Sequence, residues 1–310
     1  MKKFIFKICL FCFLVSFCLG SIAMVNRHWF MNDLYLYEFP VKQRLIAETP
    51  SPKVVVLGGS NVAFGIDSRR MADSLHLPVV NAGLHAGLGL KFIMDANTPL
   101  LRKGDVLVIM PEYDHFSGTL AYGEQTTSGA VPYFATCSEM FNMNMVQKMM
   151  VIKGFCMQTP QTLLVGLKTA FTEQQKNVYQ YKKSGFNSLG DEVSHLCLPS
   201  DVDMKSYTAV ANKNEFNDAF FQEFVADVRA LRQRGVVVKL LPPAILDKCY
   251  QLDAAYILRL REKMKQVGIP YQAPSEVFAY PVDMLYNTNY HLNKKGVEVN
   301  TGNVIRFLNR

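Results

Sequence analysis

A chain of 310 residues with 49% hydrophobic side chains can bury a sizeable core as one large α/β domain or two small ones, which excludes a mainly disordered protein. Its 33 basic and 26 acidic residues leave a net charge of +7, yet the basic residues are scattered apart from short groups such as Lys182-Lys183 and Lys294-Lys295. Without a basic stripe or a nucleic-acid motif, this charge reads as mild attraction to anionic surfaces or glycans, and no nucleic-acid partner is expected.

Lys2, Lys3 and Lys7 precede an apolar run from Ile8 to Val25, about 18 residues and enough to span a bilayer. Residues 1–27 are therefore expected to act as a signal anchor, or as a signal peptide cleaved near Ser21-Ile22-Ala23. The lysines favour a cytoplasmic N-terminus, so residues 28–310 are expected on the extracytoplasmic, periplasmic side, membrane-anchored or secreted. In an exported domain Cys137, Cys156, Cys197 and Cys249 are disulfide candidates, with three complete pairings open, and their spacing is not that of a zinc site.

From Lys53 to Met110 the pattern is βαβαβ. Lys53 to Leu57 reads as a buried strand, Asp67-Ser68 caps a helix carrying Met71 and Leu75, and Pro78 to Asn81 is a second strand. Leu88 to Leu101 reads as a helix and Val106 to Met110 as a third strand. Short parallel strands with helical crossovers place a ligand site at the strands' C-terminal ends.

Between about 117 and 201 the composition turns Met-, Gln- and Asn-rich, with helical patches at Met140 to Val151 and Leu163 to Phe171; this reads as an insertion or lid. Its stretch Tyr181 to Asp191 reads as a solvated loop with a turn at Gly190-Asp191, or as part of a sugar site. The α/β pattern then resumes. Phe216, Phe220, Phe224, Val228 and Leu231 recur at helical spacing to Gly235, Val236 to Leu241 is a strand, and Leu252 to Gln266 is a helix. Gly268-Ile269-Pro270 returns the chain to the sheet, and a last helix capped by Asn293 buries Val297, Val304, Ile305 and Leu308. The expected fold class is α/β, a flavodoxin-like three-layer sandwich of about five parallel strands behind one N-terminal transmembrane helix.

Ser60 follows the first strand in Gly58-Gly59-Ser60-Asn61, and His291 stands late in the chain in Tyr290-His291-Leu292-Asn293. A hydroxyl just past a buried strand and an imidazole at the far end of the domain are the parts that nucleophilic acyl chemistry needs. The first turn lacks the G-x-G-x-x-G spacing of a dinucleotide site, there is no Gly-Lys-Ser/Thr loop, and Val62 replaces the glycine of an α/β-hydrolase elbow.

These blocks resemble the SGNH/GDSL hydrolase superfamily, in the membrane-anchored, extracytoplasmic branch that includes accessory O-acyltransferases of cell-wall and exopolysaccharide acylation. The resemblance runs from about residue 50 to the end. It implies that Ser60 is the nucleophile, that His291 is its base, and that the backbone N–H groups of Ser60 and Gly83, the latter in Asn81-Ala82-Gly83, form the oxyanion hole. Gly59 stands where the family has an aspartate, Pro111-Glu112-Tyr113 where it has an asparagine, and Asn287 and Thr288 where it has an acid before the histidine.

Asn287 can orient the ring as a neutral acceptor, giving a Ser-His dyad, and Glu112 and Asp114 are candidates for the missing acid. Asn61, His85, Glu112, Tyr113 and His115 are candidate substrate-lining residues, while His28, His76 and His195 have no chemical context. The implied function is a serine esterase or O-acyltransferase acting on an envelope or exported glycan, needing no metal or organic cofactor. A multipass membrane acyltransferase is an implied partner, the membrane itself being engaged by the N-terminal segment. The alternative is a catalytically degenerate module of the same fold that binds a glycan or that partner.

Overall fold

The structure is a computed structural model that describes residues 2–29, 33–170, 181–202, 208–209, 211 and 215–309. The N-terminal run folds as helix α1 (Lys2–Trp29). Among the described residues no helix is long and apolar enough to cross a membrane, and the side chains of α1 from residue 22 onward lie outside that description. Helix α2 (Phe39–Glu48), opened by Pro40, then leads into the sheet.

Strand β1 (Val54–Gly58) is buried at every position, which is what its β-branched run predicts for a strand covered on both faces. The short helix α3 (Ser60–Ala63) follows directly, then α4 (Ser68–Leu75), whose cap is the expected Asp67, accepting from the Arg70 N–H at 3.0 Å. Strand β2 (Val79–Asn81) and strand β3 (Val106–Met110) both pair parallel with β1. Between them α5 (Leu90–Asn97) is shorter than the periodicity predicts: Gly89 turns the chain at φ +85° and Thr98–Leu100, containing Pro99, closes as a 3₁₀ turn.

The insertion contributes α6 (Gln125–Ser128), α7 (Cys137–Asn142) and α8 (Met145–Ala170). The first expected patch, Met140 to Val151, is broken at Met143-Asn144 between α7 and α8, and the second lies within α8 apart from Phe171, which is outside the described residues. The stretch from Tyr181 to Asp191 departs from the solvated-loop reading. The Asn81 N–H donates to the Leu189 carbonyl at 2.9 Å, and the buried Asp191 carboxylate accepts from Ser68 Oγ at 2.6 Å and Asn81 Nδ2 at 2.9 Å. The turn at Gly190 is real, with φ +89°, but it is packed onto the end of β2.

Helix α9 (Asp218–Gln233) buries Phe220, Phe224, Val228 and Leu231 and ends at Gly235, and β4 (Val237–Leu240) pairs parallel with β3. The sheet order is β2-β1-β3-β4. The expected fifth strand shrinks to one parallel bridge, Leu240 to Tyr271, because Pro270 has no N–H to extend the ladder; Gln272 N–H to Leu240 O, at 2.8 Å, is what remains of it.

Strand β5 (Ile245–Leu246) leads into α10 (Asp247–Leu252) and α11 (Ala254–Gln266), split at the buried Asp253, and β5 pairs instead with β6 (Ala279–Tyr280) in a second, two-stranded parallel sheet. Helix α12 (Lys294–Leu308) starts at the expected cap, with Asn293 Oδ1 accepting from the Gly296 N–H at 3.1 Å, and buries Val297, Val304 and Phe307 while Ile305 and Leu308 stay half-buried. Cys137, Cys156 and Cys197 are exposed free thiols and Cys249 is a buried one, so the disulfide expected among these four is not formed.

Candidate active site

Register brings the first two groups together. Gly58 and Met110 are partners at the C-terminal ends of β1 and β3, so Ser60 and Glu112, each two residues further on, leave the sheet at the same edge. Ser60 Oγ donates to Glu112 Oε1 at 3.4 Å, and the Asn61 N–H donates to the same oxygen at 3.3 Å. A Cβ on Gly59 would lie 2.5 Å from that oxygen and 3.1 Å from Ala86 Cα. A side chain before the serine would therefore push the Glu112 carboxyl aside and crowd Ala86. Asn61 is turned inward, its Nδ2 donating to the Met110 carbonyl at 2.9 Å, so it ties two strands together and does not face a ligand.

His291 is held from three sides. Its backbone N–H donates to Thr288 Oγ1 at 3.1 Å, so Thr288, three residues before the histidine, builds the turn. Phe64 stacks on the ring with centroids 4.1 Å apart and planes within 6°. His291 Nδ1 meets Asn287 Oδ1 at 3.0 Å, and because an amide oxygen only accepts, Nδ1 carries the proton and Nε2 is the bare acceptor. Asn287 Nδ2 in turn donates to Tyr181 Oη. Burial, then the neighbouring His195 and His85, push the His291 imidazole down to about 3, so it is neutral under physiological conditions.

Ser60 and His291 line one cleft of about 410 Å³, together with His85, Glu112, Asp114 and Tyr181. Among the described residues no hydrogen bond joins Ser60 to His291; the hydroxyl is turned to Glu112. Among the described residues the cleft also holds Glu124 but neither Lys nor Arg. Burial first, then the Asp114 carboxylate, raise Glu112 to about 8.

Several expected site residues stand elsewhere. The Gly83 N–H already donates to Asn81 Oδ1 at 2.9 Å, and a Cβ there would come within 2.6 Å of Val62 Cγ1, so Gly83 serves close packing and not an oxyanion. Ala86 takes its place at the cleft. It opens the turn Ala86–Leu88, and neither its N–H nor that of Ser60 has a partner among the described residues, as first-turn amides characteristically lack one. Tyr113 and His115 are fully buried behind the cleft; His115 Nε2 meets the Ala86 carbonyl at 3.3 Å, and burial lowers the ring to about 4, so it braces that turn as a neutral donor.

His85 and Glu112 line the cleft, and Asn287 touches it only through the His291 ring. His195 gains a context that the sequence does not reveal: buried behind Phe64, its Nδ1 meets Glu192 Oε2 at 2.5 Å and its Nε2 meets the Leu292 carbonyl at 2.9 Å, fixing the segment that carries His291. Asp114, a candidate acid, and Tyr181, from the possible sugar-site stretch, also line the cleft, as does Tyr290, which the sequence does not single out.

A second hollow of about 460 Å³ between α4 and α12, lined by residues such as Arg69, Arg70, Asp73 and Lys294, shares no lining residue with the cleft. It is somewhat larger but, among the described residues, presents no serine or cysteine beside a histidine. Among the described residues no group of His, Cys, Asp and Glu is arranged to hold a metal ion. Comparison with protein-family models, curated proteins and solved structures finds no match for this chain.

Proposed function

We propose that the chain is an SGNH/GDSL-like serine acyl-transfer enzyme, an esterase or O-acyltransferase of an envelope or exported glycan, on a flavodoxin-like three-layer fold. The observation that carries this reading is that Ser60 and the bare-Nε2 imidazole of His291, from opposite ends of the domain, line one cleft at the C-terminal edge of a parallel sheet. The order β2-β1-β3-β4 with Tyr271 beside β4 supports the fold assignment. Ser60 is the nucleophile, and the free N–H groups of Ser60 and Ala86 are the donors for the developing oxyanion. Tyr181, Tyr290 and His85 beside acidic groups, with no Lys or Arg among the described lining residues, suit an uncharged ligand rich in hydroxyls.

The membrane side of the proposal rests on the apolar α1 behind its three lysines, and on an unusual solvent face of α7 and α8. Met145, Met149 and Ile152, exposed at 71%, 50% and 61%, recur on one face of α8, and Phe141 of α7 is exposed at 81%, an apolar surface that water would not select. A chain held this way at the outer membrane–water boundary can receive an acyl group from a multipass acyltransferase and pass it to a glycan.

The test is labelling of the full-length protein in detergent by a fluorophosphonate. The wild type is expected to label and Ser60→Ala is not. The second reading, a non-catalytic binding module, is favoured by the Ser60 hydroxyl facing Glu112 instead of His291. Equal labelling of the two proteins, or none of either, would move the conclusion to that module.

A further inference from the structure

His291 is an imidazole whose affinity for protons has been almost removed, and this leaves a gap in the acyl-transfer reading, on which the following rests. A base that accepts its proton only near 3 gives little driving force for deprotonating an alcohol. Another group already touches the hydroxyl. We propose that Glu112 takes the Ser60 proton when the serine attacks an acyl ester, making a Ser60–Glu112 pair the working dyad.

Four observations carry this. Ser60 Oγ has Glu112 Oε1 as its hydrogen-bond partner, at 3.4 Å. The β1–β3 register, Gly58 opposite Met110, sets the two side chains at one edge, so the contact is built into the sheet and does not depend on a mobile loop. Position 59 lacks a Cβ, and a Cβ there would lie 2.5 Å from Glu112 Oε1 and displace the carboxyl from the place where it meets the serine. The Asn61 N–H, at 3.3 Å, holds Oε1 beside the serine.

The charged groups facing Glu112 are Asp114 from its own loop and Glu124 from the chain before α6, with His85 across the cleft and no Lys or Arg among the lining residues. That setting destabilises the carboxylate, and a carboxyl poised near neutrality is matched to proton transfer in both directions.

The step balances without any further reagent. As the Ser60 Oγ–C bond forms, the O–H bond breaks and its proton passes to Glu112, while the carbonyl π pair moves onto oxygen, held by the Ser60 and Ala86 N–H groups. Collapse breaks the bond to the departing alkoxide, and Glu112 returns the proton to that oxygen. Deacylation runs the same path in reverse, with the acceptor hydroxyl as the attacking group. His291 Nε2 is left to accept a hydrogen bond from that hydroxyl and position it.

The experiment is the second-order rate of fluorophosphonate labelling of the full-length protein in detergent, followed from about pH 5 to about pH 10. The proposal expects the wild-type rate to rise with an apparent pKa near 8 and then level off. Glu112→Gln is expected to lower the plateau by about 10²-fold or more and to abolish the rise, whereas His291→Ala keeps the rise. Glu112→Asp, a slower enzyme that retains a pH-dependent limb, separates loss of the carboxyl from loss of the fold. A wild-type rate flat across that range, or an unchanged rise in Glu112→Gln, overturns the role of Glu112 and leaves Ser60 as nucleophile. Absence of Ser60 labelling at every pH overturns both.

Discussion

Strand β3 has a buried acid at each end, Asp105 one residue before it and Glu112 two residues after it, and their surroundings treat them in opposite ways. Asp105 Oδ2 lies 2.9 Å from Lys53 Nζ, with both side chains fully buried, and the same carboxylate accepts the Lys53 and Arg102 N–H groups at 3.2 and 2.9 Å. Burial alone would raise Asp105, but the Arg102 N–H and the Lys53 ammonium outweigh it and hold the carboxyl below its ordinary value. Glu112 has an acid for a neighbour, no cation among the described residues, and a serine hydroxyl in contact, and it is raised. One end of the strand is neutralised and closed, as structural ends are; the other keeps an unpaired buried acid where a parallel sheet opens to ligands.

The largest effect that would break this contrast is at the closed end. Lys53→Met leaves Asp105 buried without its cation and is expected to lower stability by about 3–5 kcal/mol, read from urea denaturation at neutral pH. A loss under about 1 kcal/mol would mean that the pair contributes no more than a surface ion pair does.

The open end is expected to respond in the other direction. Glu112 is raised from its ordinary 4.5 to about 8, so between those pH values the folded chain binds a proton that the unfolded chain has released, and stability falls as pH rises. Asp105, being depressed, contributes stability that is present above its unfolded pKa and lost as the solution is acidified through its folded one. Glu112→Gln is therefore expected to raise stability most near pH 8 and to change it little near pH 4.5. Equal effects at the two pH values would show that Glu112 is not held protonated.

Much of the frame was legible in the chain. The run of valines from Val54 to Val56, the cap at Asp67 and the cap at Asn293 are local signals, and local structure obeyed them. The fifth strand is not legible in the apolar return to the sheet, because Pro270 cannot donate to a ladder and leaves a single bridge. The site was half legible. Ser60 and His291 declare themselves by position, but the Ser60–Glu112 contact follows from cross-strand register, which no single segment encodes.

The place of Gly83 is hidden from the sequence for a related reason. A glycine after β2 announces close backbone approach, and only the packing of Val62 against it shows that the approach is to α3, leaving Ala86 to face the cleft. Tyr181 and the Glu192–His195 pair come from the insertion, whose composition gave no sign that it folds over the sheet edge and braces His291.

The central claim, a covalent role for Ser60, is tested most directly by trapping the intermediate itself. The full-length protein is mixed with p-nitrophenyl acetate, quenched in acid during the burst and mapped by peptide mass spectrometry. An acetyl group on the peptide carrying Ser60, absent from Ser60→Ala, is the predicted result. Nitrophenol release that proceeds equally in both proteins, with no acetyl group on that peptide, would contradict it.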